Sequence, residues 1–218
     1  MVNDGEDELE EVLAEVPEGE LNHVRLSPDK NYILGKLRNI ALEAATGDFL
    51  VQWDDDEWYH PERIEKQARR LMEGFDACTL QGTLMHVNDR EFKYYPYIGY
   101  LSDGIPGSIM HRREESIRYP ELSKAEDSYY LGKWKEKNYT LLSKDYNYLF
   151  IRCFHGDNTW DRHHFMTRMR NTPSDALKYL WYRHIKGDLS QHPRFKLSDA
   201  AKETFNMYLE DSKKLELI

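Results

Sequence analysis

An α/β fold, a sheet joined by crossover connections and flanked by helices, is predicted by three observations. Helical and strand-like patterns alternate through the first half of the 218-residue chain. An apolar strand, Asp48 to Trp53, runs directly into the carboxylates Asp54, Asp55 and Asp56. Helical periodicity then dominates from Ser174 to the C-terminus.

The elements follow in order. Val12, Leu13 and Val16 form a weak apolar stripe, so Glu8 to Glu15 is expected as a short surface helix. His23 to Leu26 reads as a brief strand ending in a Ser27-Pro28-Asp29 turn. Ile33, Leu37, Ile40, Ala41 and Ala44 recur at helical spacing, with Gly47 as the expected cap. After the acidic cluster, Pro61 opens a helix with Ile64, Ala68, Leu71 and Met72 on its apolar face. Ala77 to Val87 and Phe92 to Tyr97 read as strands around a turn at Asn88-Asp89, and Ser108 to His111 as another. A helix is expected from Glu126 to Lys135 and a strand from Tyr146 to Phe154. Helices follow over Ser174 to Ile185 and, capped by Ser198, to about Lys213. Tyr179, Trp181, Tyr182 and Tyr208 are expected to close the core. The organisation is one α/β domain over 1–170 and a helical C-terminal extension over 171–218 packed on it.

Composition narrows the function. A formal net charge of −9 argues against nucleic acid as the main partner, because phosphate backbones need a basic surface. No apolar run reaches the roughly 20 residues of a membrane span, and the acidic N-terminus is unlike a signal peptide. Cys78 and Cys153 show neither metal-ligand spacing nor a disulfide framework. A cytoplasmic protein is the expectation, with peripheral membrane association left open.

Three adjacent carboxylates after a strand repel one another, and a cation offsets that repulsion. Hard oxygen ligands suit Mg²⁺ or Mn²⁺, and a divalent ion so held can share the oxygens of a diphosphate leaving group. The alternative is a solvated acidic turn.

Flanking residues decide between the two. Gly35-Lys36-Leu37-Arg38-Asn39-Ile40-Ala41, Ala45-Thr46-Gly47-Asp48-Phe49-Leu50 and Trp53-Asp54-Asp55-Asp56-Glu57-Trp58-Tyr59-His60-Pro61 stand in one order. Asn3-Asp4-Gly5 precedes them and Ala125-Glu126-Asp127 follows. Together they resemble the family 2 glycosyltransferases, which have the GT-A fold, a Rossmann-type mixed sheet. The resemblance runs from residue 3 to about residue 160. It implies a metal-dependent, inverting transfer of a sugar from a nucleotide-diphosphate donor to a hydroxyl of a glycan, lipid-linked glycan or small acceptor. By position, it assigns Asp127 as the base and Asp4 to the donor's nucleobase. Arg38 would lie near the donor nucleotide and Asp55 on ribose or sugar hydroxyls. Asp54 and Asp56 match the DxD carboxylates, with Asp56 the direct ligand of Mn²⁺ or Mg²⁺. His155 resembles the histidine that completes the metal shell, and Arg152 is an alternative contact for the diphosphate. His163 and His164 are expected to be structural.

The family's usual first strand and helix have no counterpart ahead of Asn3, which reads as a truncation or a mis-assigned start in preference to a real variant that rearranges its sheet. A degenerate domain that binds a glycan or a partner without catalysis is therefore the alternative. A nucleotidyltransferase would need a Gly-rich basic loop near the N-terminus, and none is visible.

Overall fold

The computed structural model describes residues 1–5, 9, 13–17, 19–27, 30–88, 92, 94–156 and 161–217. Half of the expected helix at Glu8 to Glu15, the Pro28-Asp29 turn and Asp89 lie outside the described residues.

The strands are β1 (Val2–Asn3), β2 (Val24–Arg25), β3 (Phe49–Val51), β4 (Trp58–Tyr59), β5 (Ala77–Leu80), β6 (Gly82–Val87), β7 (Tyr97–Tyr100), β8 (Met110–Arg112), β9 (Tyr139–Leu142) and β10 (Phe150–Phe154). The α-helices are α1 (Leu34–Ala44), α2 (Arg63–Met72), α3 (Glu126–Trp134), α4 (Arg162–Thr167), α5 (Pro173–Leu180) and α6 (Asp199–Lys214). One sheet has the order β3-β8-β5-β9 and a second the order β4-β10-β6-β7, while β1 and β2 form a parallel pair. Both larger sheets are mixed: β5 runs parallel to β9 and antiparallel to β8, and β10 runs parallel to β6 and antiparallel to β4. The α/β class expected from the sequence is the one observed.

Two differences from the expected elements matter for the site. The run Ala77 to Val87 is interrupted at Gln81, and its halves join different sheets. The loop from β3 to β4, residues 52–57, likewise passes from one sheet to the other. The acidic cluster therefore sits at the junction of the sheets. The strand that pairs antiparallel with β6 is Tyr97–Tyr100, displaced from the expected Phe92 to Tyr97.

The core surrounds this junction. Leu71, Leu80, Leu149 and Phe150 are fully buried in one cluster, each contributing about 2 kcal/mol. Phe205 and Tyr208 of α6 pack with Leu84 and Ile151 from the other sheet. The Tyr208 hydroxyl lies 2.8 Å from His86 Nδ1, and Trp58 Nε1 donates to Asp211 Oδ2 at 3.1 Å. Ser198 caps α6 as expected, its Oγ accepting from the Ala201 amide.

Helix α2 keeps only half of its expected apolar face, with Leu71 buried and Ala68 packed on the core. Ile64 and Met72 are exposed at 50% and 72%, whereas Arg63, Gln67 and Leu71 are buried. The polar pair is inside because it has partners there. Arg63 Nε donates to Gln67 Oε1, and its Nη2 donates to the Gln52 carbonyl at 3.1 Å. Gln67 Nε2 donates to the carbonyls of Cys78 and Ser108. These bonds offset the cost of burying polar groups.

Helix α1 ends at Ala44 with Ala45 in extended conformation, two residues before the expected Gly47 cap. Gly35 at its start abuts the segment leading to α3: a Cβ there would lie 1.9 Å from the Pro120 carbonyl oxygen. The Gly35 amide donates to the Leu122 carbonyl at 3.1 Å. Asn39 then clamps Tyr119 in both directions, donating to its carbonyl and accepting from its amide. This close approach carries Arg38 between the acidic loop and α3.

Trp181 is 51% exposed, against its expected place in the core. Residues Trp181–Ile185 form a π-helical turn after α5, and only Tyr179 and Tyr208 of the expected aromatics are buried. Among the described residues no helix is long and apolar enough to cross a membrane.

Candidate active site

The floor of the site is built first. Tyr59 stacks on Phe150 at a centroid distance of 4.9 Å, and its hydroxyl accepts from the Asp54 amide at 2.9 Å. The Arg63 guanidinium lies against the rings of Tyr59, Trp53 and Phe150 at 4.4, 5.3 and 5.4 Å. Gln52 is buried just after β3; its Nε2 donates to Asp54 Oδ2 at 3.1 Å and its Oε1 accepts from Tyr119. The backbone and side chain of Asp54 are thus fixed from below.

From the side, Arg38 Nη1 donates to Asp54 Oδ1 at 2.7 Å and Nε donates to Glu126 Oε1 at 2.8 Å. Burial works against the Arg38 charge, but the Asp54 carboxylate more than compensates and raises its pKa. Glu126 is buried and turned to Arg38, so its neighbour Asp127 is left to the cleft. Asp127 Oδ1 accepts from the Ser128 amide at 2.6 Å in the first turn of α3. Ala125 immediately before this helix has φ 62° and ψ 12°, a left-handed conformation that costs a non-glycine residue about 1 kcal/mol or more.

The far side comes from β10. Arg152 Nε donates to Glu57 Oε1 at 3.1 Å, and the Cys153 amide donates to Glu57 Oε2 at 2.6 Å. Burial pushes the Glu57 carboxyl up to about 8, with Arg152 opposing and Asp56 adding to the rise. Glu57 thereby ties the acidic loop to β10. Just beyond that strand His155 Nε2 lies 3.8 Å from Asp56 Oδ2.

Two adjoining cavities result. One, of about 240 Å³, is lined by Asp54, Asp55, Asp56 and Glu57 together with Arg38, Glu126, Asp127 and Arg152. The other, of about 230 Å³, is lined by largely neutral residues of β6, β7 and the 105–107 turn, with His164 and Arg168. Asp54, Glu57, Ala125, Asp127 and Arg152 border both. The three aspartates and Asp127 thus share one cleft wall, although they come from segments about 70 residues apart.

The Glycosyl transferase family 2 model matches residues 1–192. The chain belongs to that family.

One solved structure agrees with it at the level of fold. A crystal structure of S. aureus TarS shares 20% identity, with a TM-score of 0.50, over 97% of this family 2 chain and 37% of its own. One of TarS residues 1–349 gives 18% and 0.49, over 96% of this chain and 68% of its own. A mycobacterial protein gives 12% and 0.44, over 81% and 62%. No curated protein matches.

Within this family 2 glycosyltransferase, the residues singled out by sequence are only partly gathered. Arg38, Asp54, Asp55, Asp56 and Asp127 line the acidic cavity. His155 reaches it through Asp56, and Asp4, half-buried after β1, is not among the residues lining either cavity. Among the described residues no three metal-ligating side chains cluster. Asp54 is engaged by Arg38 and Gln52, while Asp56 lies within 3.8 Å of His155. Sequence reasoning missed Glu57, although it stands next to the triplet, because its partner Arg152 is 95 residues away. It also placed His164 as structural, whereas His164 lines the second cavity.

Proposed function

We propose that this chain is an inverting, metal-dependent glycosyltransferase that moves a sugar from a nucleotide-diphosphate donor to an acceptor hydroxyl. The single observation that carries the reading is Asp127 standing on the border of the acidic cavity and of the adjoining one that β6, β7 and the 105–107 turn complete. In this reading the donor's diphosphate lies on the side of Asp54, Asp55 and Asp56, with the acceptor opposite.

Asp56 and His155 would hold the divalent cation. Their 3.8 Å separation fits one ion that takes its remaining ligands from phosphate oxygens and water. When bound, Mn²⁺ or Mg²⁺ offsets the negative charge that develops on the departing diphosphate. Arg152, fixed by Glu57, adds a second positive group beside it. Asp55, exposed on the cavity wall, is assigned to ribose or sugar hydroxyls, and Arg38 holds Asp54 in place. Asp4 is assigned to the nucleobase on the family resemblance alone.

Asp127 acts as the base. As the acceptor oxygen bonds to the anomeric carbon, its proton passes to a carboxylate oxygen of Asp127. The bond from that carbon to the diphosphate oxygen breaks on the opposite face, so the configuration inverts. The helical residues 171–218 are assigned as an extension packed on the domain of residues 1–170.

A panel of nucleotide sugars, each with Mn²⁺ or Mg²⁺, tests the reading through release of the nucleoside diphosphate. Metal-dependent release with at least one donor is expected. Absence of both donor binding and release across the panel would overturn it.

A further inference from the structure

Arg168 is the feature that the transfer reaction leaves unexplained. It follows α4 in a short 3₁₀ turn, Arg168–Arg170, and lines the second cavity but not the acidic one. Its guanidinium is half-buried, and among the described residues it has no ion pair and no hydrogen bond. Burial and the nearby Arg152 charge both lower its pKa, while Tyr97 and Asp127 act the other way. His164, one turn earlier, lines the same cavity, and burial, Arg168 and Arg152 all disfavour its charged form.

Two of the other carboxylates around this cavity have cationic partners. Asp54 is paired with Arg38 and Glu57 with Arg152. Asp127 lines the cavity but makes no ion pair with Arg168. A half-buried guanidinium that has no ion pair among the described residues is costly, and binding an anion would offset that cost. The planar fork of Arg donors suits phosphate and carboxylate oxygens.

We propose that the acceptor carries an anionic group, a phosphate or a carboxylate, near its accepting hydroxyl, and that Arg168 receives it with His164 alongside. This rests on the transferase reading for its orientation, since the second cavity is the one opposite the proposed diphosphate. The anion contact itself belongs to the cavity and is measurable without turnover.

Titration calorimetry on the full chain tests it with glycerol, glycerol 3-phosphate and glycerate. Glycerol 3-phosphate or glycerate should bind wild type, at least about tenfold more weakly to Arg168→Gln, and with partial recovery in Arg168→Lys. Which of the two binds better distinguishes phosphate from carboxylate recognition. Equal affinity of wild type and Arg168→Gln, binding of glycerol as tight as either anion, or no anion binding at all would overturn the proposal. The Arg168→Lys protein carries the test if Arg168→Gln does not fold. Metal-dependent protection by nucleoside diphosphates is measured on the same samples. Its absence alongside intact, Arg168-dependent anion binding would sink the transferase reading while leaving the anion site standing.

Discussion

Arg38 Nη1 donates to Asp54 Oδ1 at 2.7 Å, joining the centre of α1 to the first carboxylate of the acidic loop. The same guanidinium holds Glu126, so one side chain braces both segments that face the cleft. Arg38→Ala would remove the ion-pair partner of two poorly solvated carboxylates. It should lower stability by about 3 kcal/mol in urea unfolding. Arg38→Lys should fall between, because a single ammonium cannot reproduce the two-pronged geometry.

Asp127→Asn keeps the size of the side chain and removes its basicity. Transfer should fall by about 10²- to 10⁴-fold while donor affinity holds, read by nucleotide release and by calorimetry with the nucleoside diphosphate. A variant as fast as wild type would remove Asp127 from the role of base.

Asp56→Ala should abolish the Mn²⁺-dependent rise in melting temperature that a nucleoside diphosphate gives wild type. His155→Ala should weaken it without eliminating it, since Asp56 would remain. Protection that persists in the Asp56→Ala protein would show the cation to be held elsewhere.

Glu57 supplies a pH signature. Its carboxyl is raised from the ordinary 4.5 to about 8 in the fold, so between those values the folded state binds the proton that the unfolded state has released. That contribution to stability is complete below about pH 4.5, is lost as pH rises, and is gone above about 8. Glu57→Gln cannot titrate. The melting temperature of wild type relative to Glu57→Gln should therefore fall across that window and level off beyond it. A constant difference would contradict the elevated carboxyl.

Where local chemistry determines an element, the sequence was readable. Ser198 before an apolar-periodic run marked α6, and the alternation around Ile33 to Ala44 marked α1. Asp54, Asp56 and Asp127 were legible as cleft residues only through the ordered motifs around them. What escaped depends on distant partners. Nothing local distinguishes Gln81 as the break that sends β5 and β6 to different sheets. Arg63 and Gln67 look like the solvated side of α2 until the carbonyls of Gln52, Cys78 and Ser108 arrive beneath them. The Glu57–Arg152 and Arg38–Glu126 pairs close only across sequence separations of 95 and 88 residues.

Arg63, sealed under the Tyr59, Trp53 and Phe150 rings, has a consequence for the idea that the crowded carboxylates need a cation to coexist. Its fixed positive charge, with Arg38 at the flank, already supplies the loop with resident counter-ions. The loop is thereby shaped in advance, and a bound divalent ion is freed to serve the ligand instead of the fold. Stripping metal with a chelator should accordingly leave the melting temperature of the free protein where it was.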